Sequence, residues 1–310
     1  MKLAGLSVDV DSVASHLEGY GFGRPPDDGT AMRVAVPRAL DLFDRLEARA
    51  TFFLIGGEAE SYPDRVREIT DRGHEVASHS MTHRLPFAQL DEARAQEEIV
   101  DSKGLLERLS GTTVVGFRAP SWDADATLCE RLARAGYRYD ASAYPSILLP
   151  LLRRSIASRS DGGSVRTMSG LWDGVFGPAR VHRMSTPGGP LWEIPVSTTP
   201  WARLPYYHTL RYVLPRTAFH VIGAWTRTRR GPVTYQFHAV DFLDVREDGL
   251  DPRIARHPGM ESVLSSKLAL AEDSLRRLGR SRRIVPLKEI VHTLDGAPAP
   301  VARQETPDQR

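Results

Sequence analysis

Short runs rich in β-branched and aromatic residues alternate with amphipathic helical stretches almost from end to end of this chain, and that rhythm is the strongest constraint on its fold. A strand, a covering helix and a further strand make the parallel βα unit, because parallel pairing needs a crossover long enough to hold a helix. The expected strands are 6–10, 50–55, 75–78, 114–118, 137–141, 192–196, 233–237 and 284–287. Helices fit between them at about 33–48, 61–72, 89–109, 125–136, 208–226 and 260–278. Apolar residues recur there at three and four, as Val36, Leu40, Phe43 and Leu46 do in the first. Gly73 and Gly136 fall where a left-handed residue would end the second and fourth helices. Eight strands in this order suit an α/β barrel.

Two segments break the rhythm: a Gly/Pro-rich loop at 20–30 and an insertion at about 146–190 rich in Gly, Ser and Arg. Long loops in compact domains are usually lids or binding loops. The stretch after Gly296, with Ala297-Pro298-Ala299-Pro300, reads as a flexible tail. Residues 1–296 are therefore expected to form a single barrel domain, with 297–310 as its tail, and 310 residues is an ordinary length for one α/β barrel.

Forty-one basic against 39 acidic residues leave +2, which argues against a nucleic-acid partner. The single cysteine, Cys129, can form no internal disulfide and sits in a helical stretch as a packed thiol. The first residues enter a strand with no charged region followed by an apolar stretch, and no run approaches the ~20 apolar residues of a membrane span. The expectation is a cytoplasmic protein. Two segments are apolar and basic together: Ile147 to Leu152 followed by Arg153-Arg154, and Trp201 to Arg230 with Tyr206, Tyr207 and Trp225. Such segments either pack on a barrel or rest on a membrane surface, so peripheral membrane contact stays open.

In a βα barrel the active site lies at the C-terminal ends of the strands. Asp9-Val10-Asp11, His79 with the loop to His83, Arg118-Ala119-Pro120, Asp140 with Ser142, and His238 all fall there. Two histidines at i and i+4 present both imidazoles to one ion if the segment turns helically, and a carboxylate would complete a facial triad. Asp9 and Asp11, one residue apart on an extended backbone, point the same way. Two like charges side by side need a cation, which a metal near Asp11 and the guanidinium of Arg118 near Asp9 would supply. The bland readings are capping or core histidines and a loop with helix-capping aspartates before Ser12.

Read together, Val8-Asp9-Val10-Asp11-Ser12, Thr51-Phe52-Phe53, Gly73 to His83, Phe117-Arg118-Ala119-Pro120-Ser121-Trp122 and Tyr139-Asp140-Ala141-Ser142-Ala143-Tyr144-Pro145 resemble the polysaccharide deacetylases, the NodB-homology domains of carbohydrate esterase family four. The likeness is close over about 3–145 and looser through His238. It implies a distorted (β/α)7–8 barrel of the glycoside hydrolase/deacetylase type. The common family pattern opens with adjacent aspartates. The Asp-Val-Asp spacing here is more similar to the branch of certain peptidoglycan deacetylases, allantoinase-like cyclic-amide hydrolases and lipid-linked aminoarabinose deformylases.

By that resemblance Asp11, His79 and His83 hold a divalent metal, zinc first, with cobalt, nickel, manganese or iron as alternatives. Asp9 is the base, Arg118 holds it ionised through a bidentate contact, and a backbone N–H near Tyr144 meets the oxyanion. His238 protonates the leaving amine, with Asp140 favoured over Asp241 as the group that orients its imidazole. Pro120, Trp122 and Tyr144 line the substrate pocket, with Trp122 either a sugar-stacking platform or a wall. Glu193 is expected to pair with an arginine, and His74, His182, His208 and His257 to be structural or exposed. The implied activity is removal of an N-acyl group, acetyl or formyl, from an amino sugar of a glycan, glycolipid or precursor. Cyclic-amide hydrolysis and a silent carbohydrate-binding barrel are the alternatives.

Overall fold

A computed structural model of the chain describes residues 2–84, 87, 90–150 and 174–296. The middle of the expected insertion, Arg153-Arg154 and the tail 297–310 lie outside the described residues. The order of elements is β1 (Leu3–Val10), α1 (Val13–Gly19), a π-helical turn (Ala31–Ala35) running into α2 (Val36–Arg45), β2 (Thr51–Leu54), α3 (Gly56–Ala59), α4 (Pro63–Asp71) and β3 (Glu75–Ser78). Then come α5 (Glu92–Ala95), a π-helical segment (Gln96–Asp101), α6 (Ser102–Ser110), β4 (Gly116–Phe117), α7 (Ala126–Arg134), β5 (Tyr139–Asp140), β6 (His182–Thr186) and β7 (Gly189–Glu193). The chain closes with α8 (Leu210–Val213), α9 (Arg216–Arg227), β8 (Val233–His238), α10 (Leu264–Gly279), β9 (Arg283–Val285) and α11 (Leu287–Leu294).

The strands form one curled sheet in the order β6-β7-β5-β4-β3-β2-β1-β8, with β9 also pairing β1. Every pairing is parallel except β6 with β7. Between β7 and β8 the gap is spanned by Pro195–Ser197, where Thr234 Oγ1 donates to the Pro195 carbonyl and accepts from the Ser197 amide at 3.0 Å each. These side-chain bonds stand in for a ladder that Pro195, which has no N–H, cannot make. The result is the distorted barrel that the resemblance implied. No described helix is long and apolar enough to cross a membrane.

Burial explains why β1 is central. All eight of its residues are buried, as a strand covered on both faces requires. Gly5 lets α11 close beneath it, because a Cβ there would sit 2.4 Å from Leu287 Cδ2. The main apolar cluster joins Leu6, Val8 and Val10 to Leu40 and Phe43 of α2 and to Phe237 and Phe242 around β8. Cys129 is half-buried against that core.

Several expected elements change form. The strand expected at 192–196 ends at Glu193 and is one arm of an antiparallel hairpin whose other arm, β6, falls inside the expected insertion. Its turn uses Gly189 at φ 121°, and Gly188 passes α7 so closely that a Cβ would lie 2.3 Å from the Glu130 carbonyl oxygen. The helix expected over 208–226 is two helices, because Pro215 forces Leu214 to an extended ψ of 148°. The helix expected over 89–109 takes a π-helical segment in its middle. Helices α1 and α11 were not anticipated.

Candidate active site

Asp9 lies on β1 in register with His238 on β8. Arg118, immediately after β4, is 2% exposed and donates through Nη1 to Asp9 Oδ1 and to Ser7 Oγ at 3.1 Å. Its Nε turns to the Ala141 carbonyl at 3.0 Å, so the contact with Asp9 is made by one nitrogen rather than the bidentate pairing expected. The guanidinium lies 4.2 Å from the centre of the Phe53 ring, where the ring face favours a cation. On the other side of Asp9, the His238 Nε2 is 3.9 Å from Oδ2.

Asp11 leaves β1 just before α1, whose N-cap Ser12 accepts from the Ser15 amide. Its Oδ1 is 3.2 Å from His79 Nε2 and 3.5 Å from His83 Nε2. The three ligand atoms fall within 4.8 Å of one another. Oδ1 is buried and accepts no hydrogen bond. His79 Nδ1 sits 2.7 Å from the Arg118 carbonyl oxygen, so it donates there and presents Nε2 to Asp11. One carboxylate oxygen and two imidazole nitrogens converging around a point are a donor set suited to a divalent ion.

The histidine loop reaches this geometry by a route other than the helical turn expected. Ser80 and His83 both take positive φ, 73° and 57°, a conformation that needs external support in non-glycine residues. Glu98, in the π-helical segment, supplies it: its carboxylate accepts from the Met81 and Thr82 amides at 2.9 Å each and from the Thr82 hydroxyl. The Gly56 and Gly57 amides donate to the Ser80 and Met81 carbonyls.

The electrostatics follow from burial and proximity. Burial pushes Asp11 up, but His83 and His79 outweigh it and leave it well below the usual carboxylate value. Burial pulls His83 down to about 3. In His79 burial also pulls down, yet the Asp11 charge prevails and raises it.

Asp140 does not reach His238. It accepts from Ser142 Oγ at 2.5 Å and stands beside Glu193 in the β5–β7 register. Glu193 in turn accepts from the Ala143 amide at 3.0 Å and contacts this carboxyl rather than an arginine. Burial raises both acids; the Asp140 charge raises Glu193 further, while the Ser142 and Glu193 hydrogen bonds offset part of the rise at Asp140, so the proton of the pair stays with Glu193. Asp241 accepts from the backbone amide of His238 at 2.8 Å, and the His238 ring accepts from the Asp241 amide. Asp241 thus holds His238 through the chain rather than by pairing with its imidazole.

Trp122, Tyr144 and Tyr207 form an aromatic cluster, with Trp122 4.9 Å from Tyr144 and 6.3 Å from His238 between ring centres. Trp122 is half-buried and Pro120 is buried. Sequence reasoning missed His16, on α1, whose Nε2 is 3.9 Å from Asp11 Oδ2. It placed His257 among the structural histidines, yet that ring packs 4.8 Å from His16 and 6.3 Å from His238. Burial keeps both uncharged, His16 at about 4 and His257 well below its ordinary value. The expectation holds for His74 and His208, which bond the Ala50 amide and Tyr235. The signal for His16 was its place one helical turn beyond the Ser12 cap.

Residues 27–139 match the family model described as polysaccharide deacetylase. That range contains His79, His83 and Arg118, whereas Asp9, Asp11 and His238 lie outside it. A peptidoglycan deacetylase of Helicobacter pylori is 34% identical over 145 residues, 45% of this chain and 49% of that protein. The chain therefore spans about half the length of this curated relative. A Mycobacterium smegmatis structure assigned as a polysaccharide deacetylase superposes with a TM-score of 0.62 at 18% identity, covering 98% of this chain and 94% of that one. The Puue allantoinase superposes with a TM-score of 0.59 at 16% identity, covering 95% and 90%. At these identities both likenesses establish the fold alone.

Proposed function

We propose that this chain, whose residues 27–139 match the polysaccharide deacetylase model, is a metal-dependent hydrolase that removes an N-acyl group, acetyl or formyl, from an amino sugar. The observation that carries the reading is the convergence of Asp11, His79 and His83 on one point beside an aspartate held by an arginine. A divalent ion held by those three, zinc first, would lower the pKa of a bound water and polarise an amide carbonyl. Asp9, oriented by Arg118, takes the proton of the attacking water. His238, across Asp9, delivers a proton to the nitrogen as the C–N bond breaks, since an amine expelled as its anion is a very poor leaving group. The backbone beside Tyr144, braced through Ala143 by Glu193, offers an N–H to the carbonyl oxygen. Asp140 belongs to that brace.

The test is a mass-spectrometric screen of N-acetylated and N-formylated amino sugars, allantoin and hydantoins with metal-reconstituted protein. Loss of an acetyl or formyl mass supports the proposal. Gain of a water by a cyclic amide would transfer the site to the allantoinase-like reading, and no turnover of any substrate would favour a silent binding barrel. The Asp9→Asn variant should keep its metal stoichiometry and lose at least about a hundredfold in kcat, whereas His79→Ala should lose both. Unchanged turnover in either variant counts against the assignment.

A further inference from the structure

Between Glu193 and Asp241 the chain runs 47 residues, 194 to 240, with no aspartate or glutamate, while carrying six arginines. Elsewhere acids are frequent, 39 in the 310 residues, so this stretch segregates charge. It contains α8, α9 and the loop before them, all on one flank of the barrel beside β8. Helix α9 buries Phe219, Gly223 and Thr226 against the core. Its outward side carries Val221, 64% exposed, and Trp225, 36% exposed, one helical turn apart.

A second tryptophan projects nearby. Trp201 is 96% exposed at the tip of a closed loop, where Thr198 bridges Pro205 and the Thr199 amide donates to the Leu204 carbonyl. Arg229, just past α9, fastens that loop by donating to the Thr198 carbonyl at 2.7 Å and to the Thr199 carbonyl at 3.3 Å. The exposed indole is therefore held out by a braced loop tied to the C-terminal end of the helix that displays Trp225. Arg216 and Arg230 are exposed at the two ends of α9. Asp273 of the neighbouring α10 offers no competing charge, since it already faces Arg277 and His220.

Exposed tryptophans with valine between arginines, and no acid in the segment, match the chemistry of an interfacial contact: indoles at headgroup depth and guanidiniums on phosphate. A protein partner would be expected to meet a face of mixed sign, whereas a bilayer rich in anionic lipid is negative everywhere. We propose that the flank formed by Trp201, Val221 and Trp225 with Arg216 and Arg230 docks on the surface of an anionic phospholipid bilayer. Tyr206 and Tyr207 take no part, because both are buried. The proposal is independent of which amide the site cleaves.

The test is co-sedimentation of the full chain with phosphatidylcholine vesicles with and without phosphatidylglycerol, at low and high salt. The expected result is pelleting with phosphatidylglycerol vesicles that is lost at high salt. Trp201→Ser with Trp225→Ser, and separately Arg216→Glu with Arg230→Glu, should each weaken partitioning at least tenfold, since one arginine at an anionic surface is worth about fivefold. Unchanged circular dichroism and turnover in both double variants would show that folding and catalysis survive. Three outcomes overturn the proposal: no pelleting at low salt, equal pelleting on neutral vesicles, or undiminished pelleting of the variants. A dimer in solution that the tryptophan variant dissolves would give this face to a second copy of the chain and overturn it as well.

Discussion

His79 and Asp11 carry the sharpest chemical consequence at the scale of single residues. The Asp11 carboxylate raises the His79 pKa above its ordinary value despite burial. A raised imidazole contributes stability that is fully present below its unfolded pKa of about 6.5 and is lost as pH rises through the folded value. A metal must displace that proton, so acidification favours the metal-free pair. Cobalt affinity should accordingly weaken by about tenfold per pH unit below the folded His79 pKa, for one displaced proton. Titrations by calorimetry between pH 5.5 and 8 would show this, and a flat affinity across that range would contradict it. The residues of this pair were legible in sequence because strand ends are legible. His16 and His257 were not, since one sits on a short helix with a weak apolar pattern and the other joins the site only through packing. The Asp140–Glu193 contact was equally hidden, because no local pattern reveals that β7 lies beside β5 with those two positions in register.

Among the elements, the segment that holds the histidine loop is the informative one. Strands β1, β2 and β3 were readable because their apolar runs are continuous and their ends polar. The role of the helix after them was not, because its π-helical stretch turns Glu98 inward, and a buried glutamate has no signature in an amphipathic pattern. Glu98 accepts three hydrogen bonds from Met81 and Thr82 and so maintains the left-handed Ser80 and His83 that aim the two imidazoles. In Glu98→Gln the amide NH2 would face backbone donors, leaving a buried N–H unsatisfied at a cost of about 1–3 kcal/mol. Cobalt affinity should fall about tenfold to a hundredfold, as for other losses of a ligand's support. The d–d absorption of the cobalt form should shift, which a loss of global stability alone would not cause. An unaltered spectrum and affinity would make Glu98 a purely structural clamp.

For the molecule as a whole, the barrel is fastened from several sides at once. β1 joins β2, β8 and β9, and the Pro195–Ser197 span closes the ring through Thr234. The candidate metal ligands come from the end of β1 and from the loop after β3, so an ion there would bridge two segments separated in sequence by β2, β3 and four helices. An ion that binds the folded chain alone stabilises it by mass action, about 2.7 kcal/mol at a hundredfold excess over its Kd. For a domain of this size that corresponds to a rise of about 5 °C in Tm. Zinc or cobalt should produce that rise, a chelator should reverse it, and His79→Ala, which lacks one of the three converging donors, should show none. Arg118→Ala separates the two halves of the site: it removes the cation beside Asp9 while leaving all three ligands, so its metal-dependent rise should persist even as turnover falls. If the ion raised the Tm of His79→Ala as much as that of the parent chain, it would be binding elsewhere, and the Asp11–His79–His83 centre would be wrong.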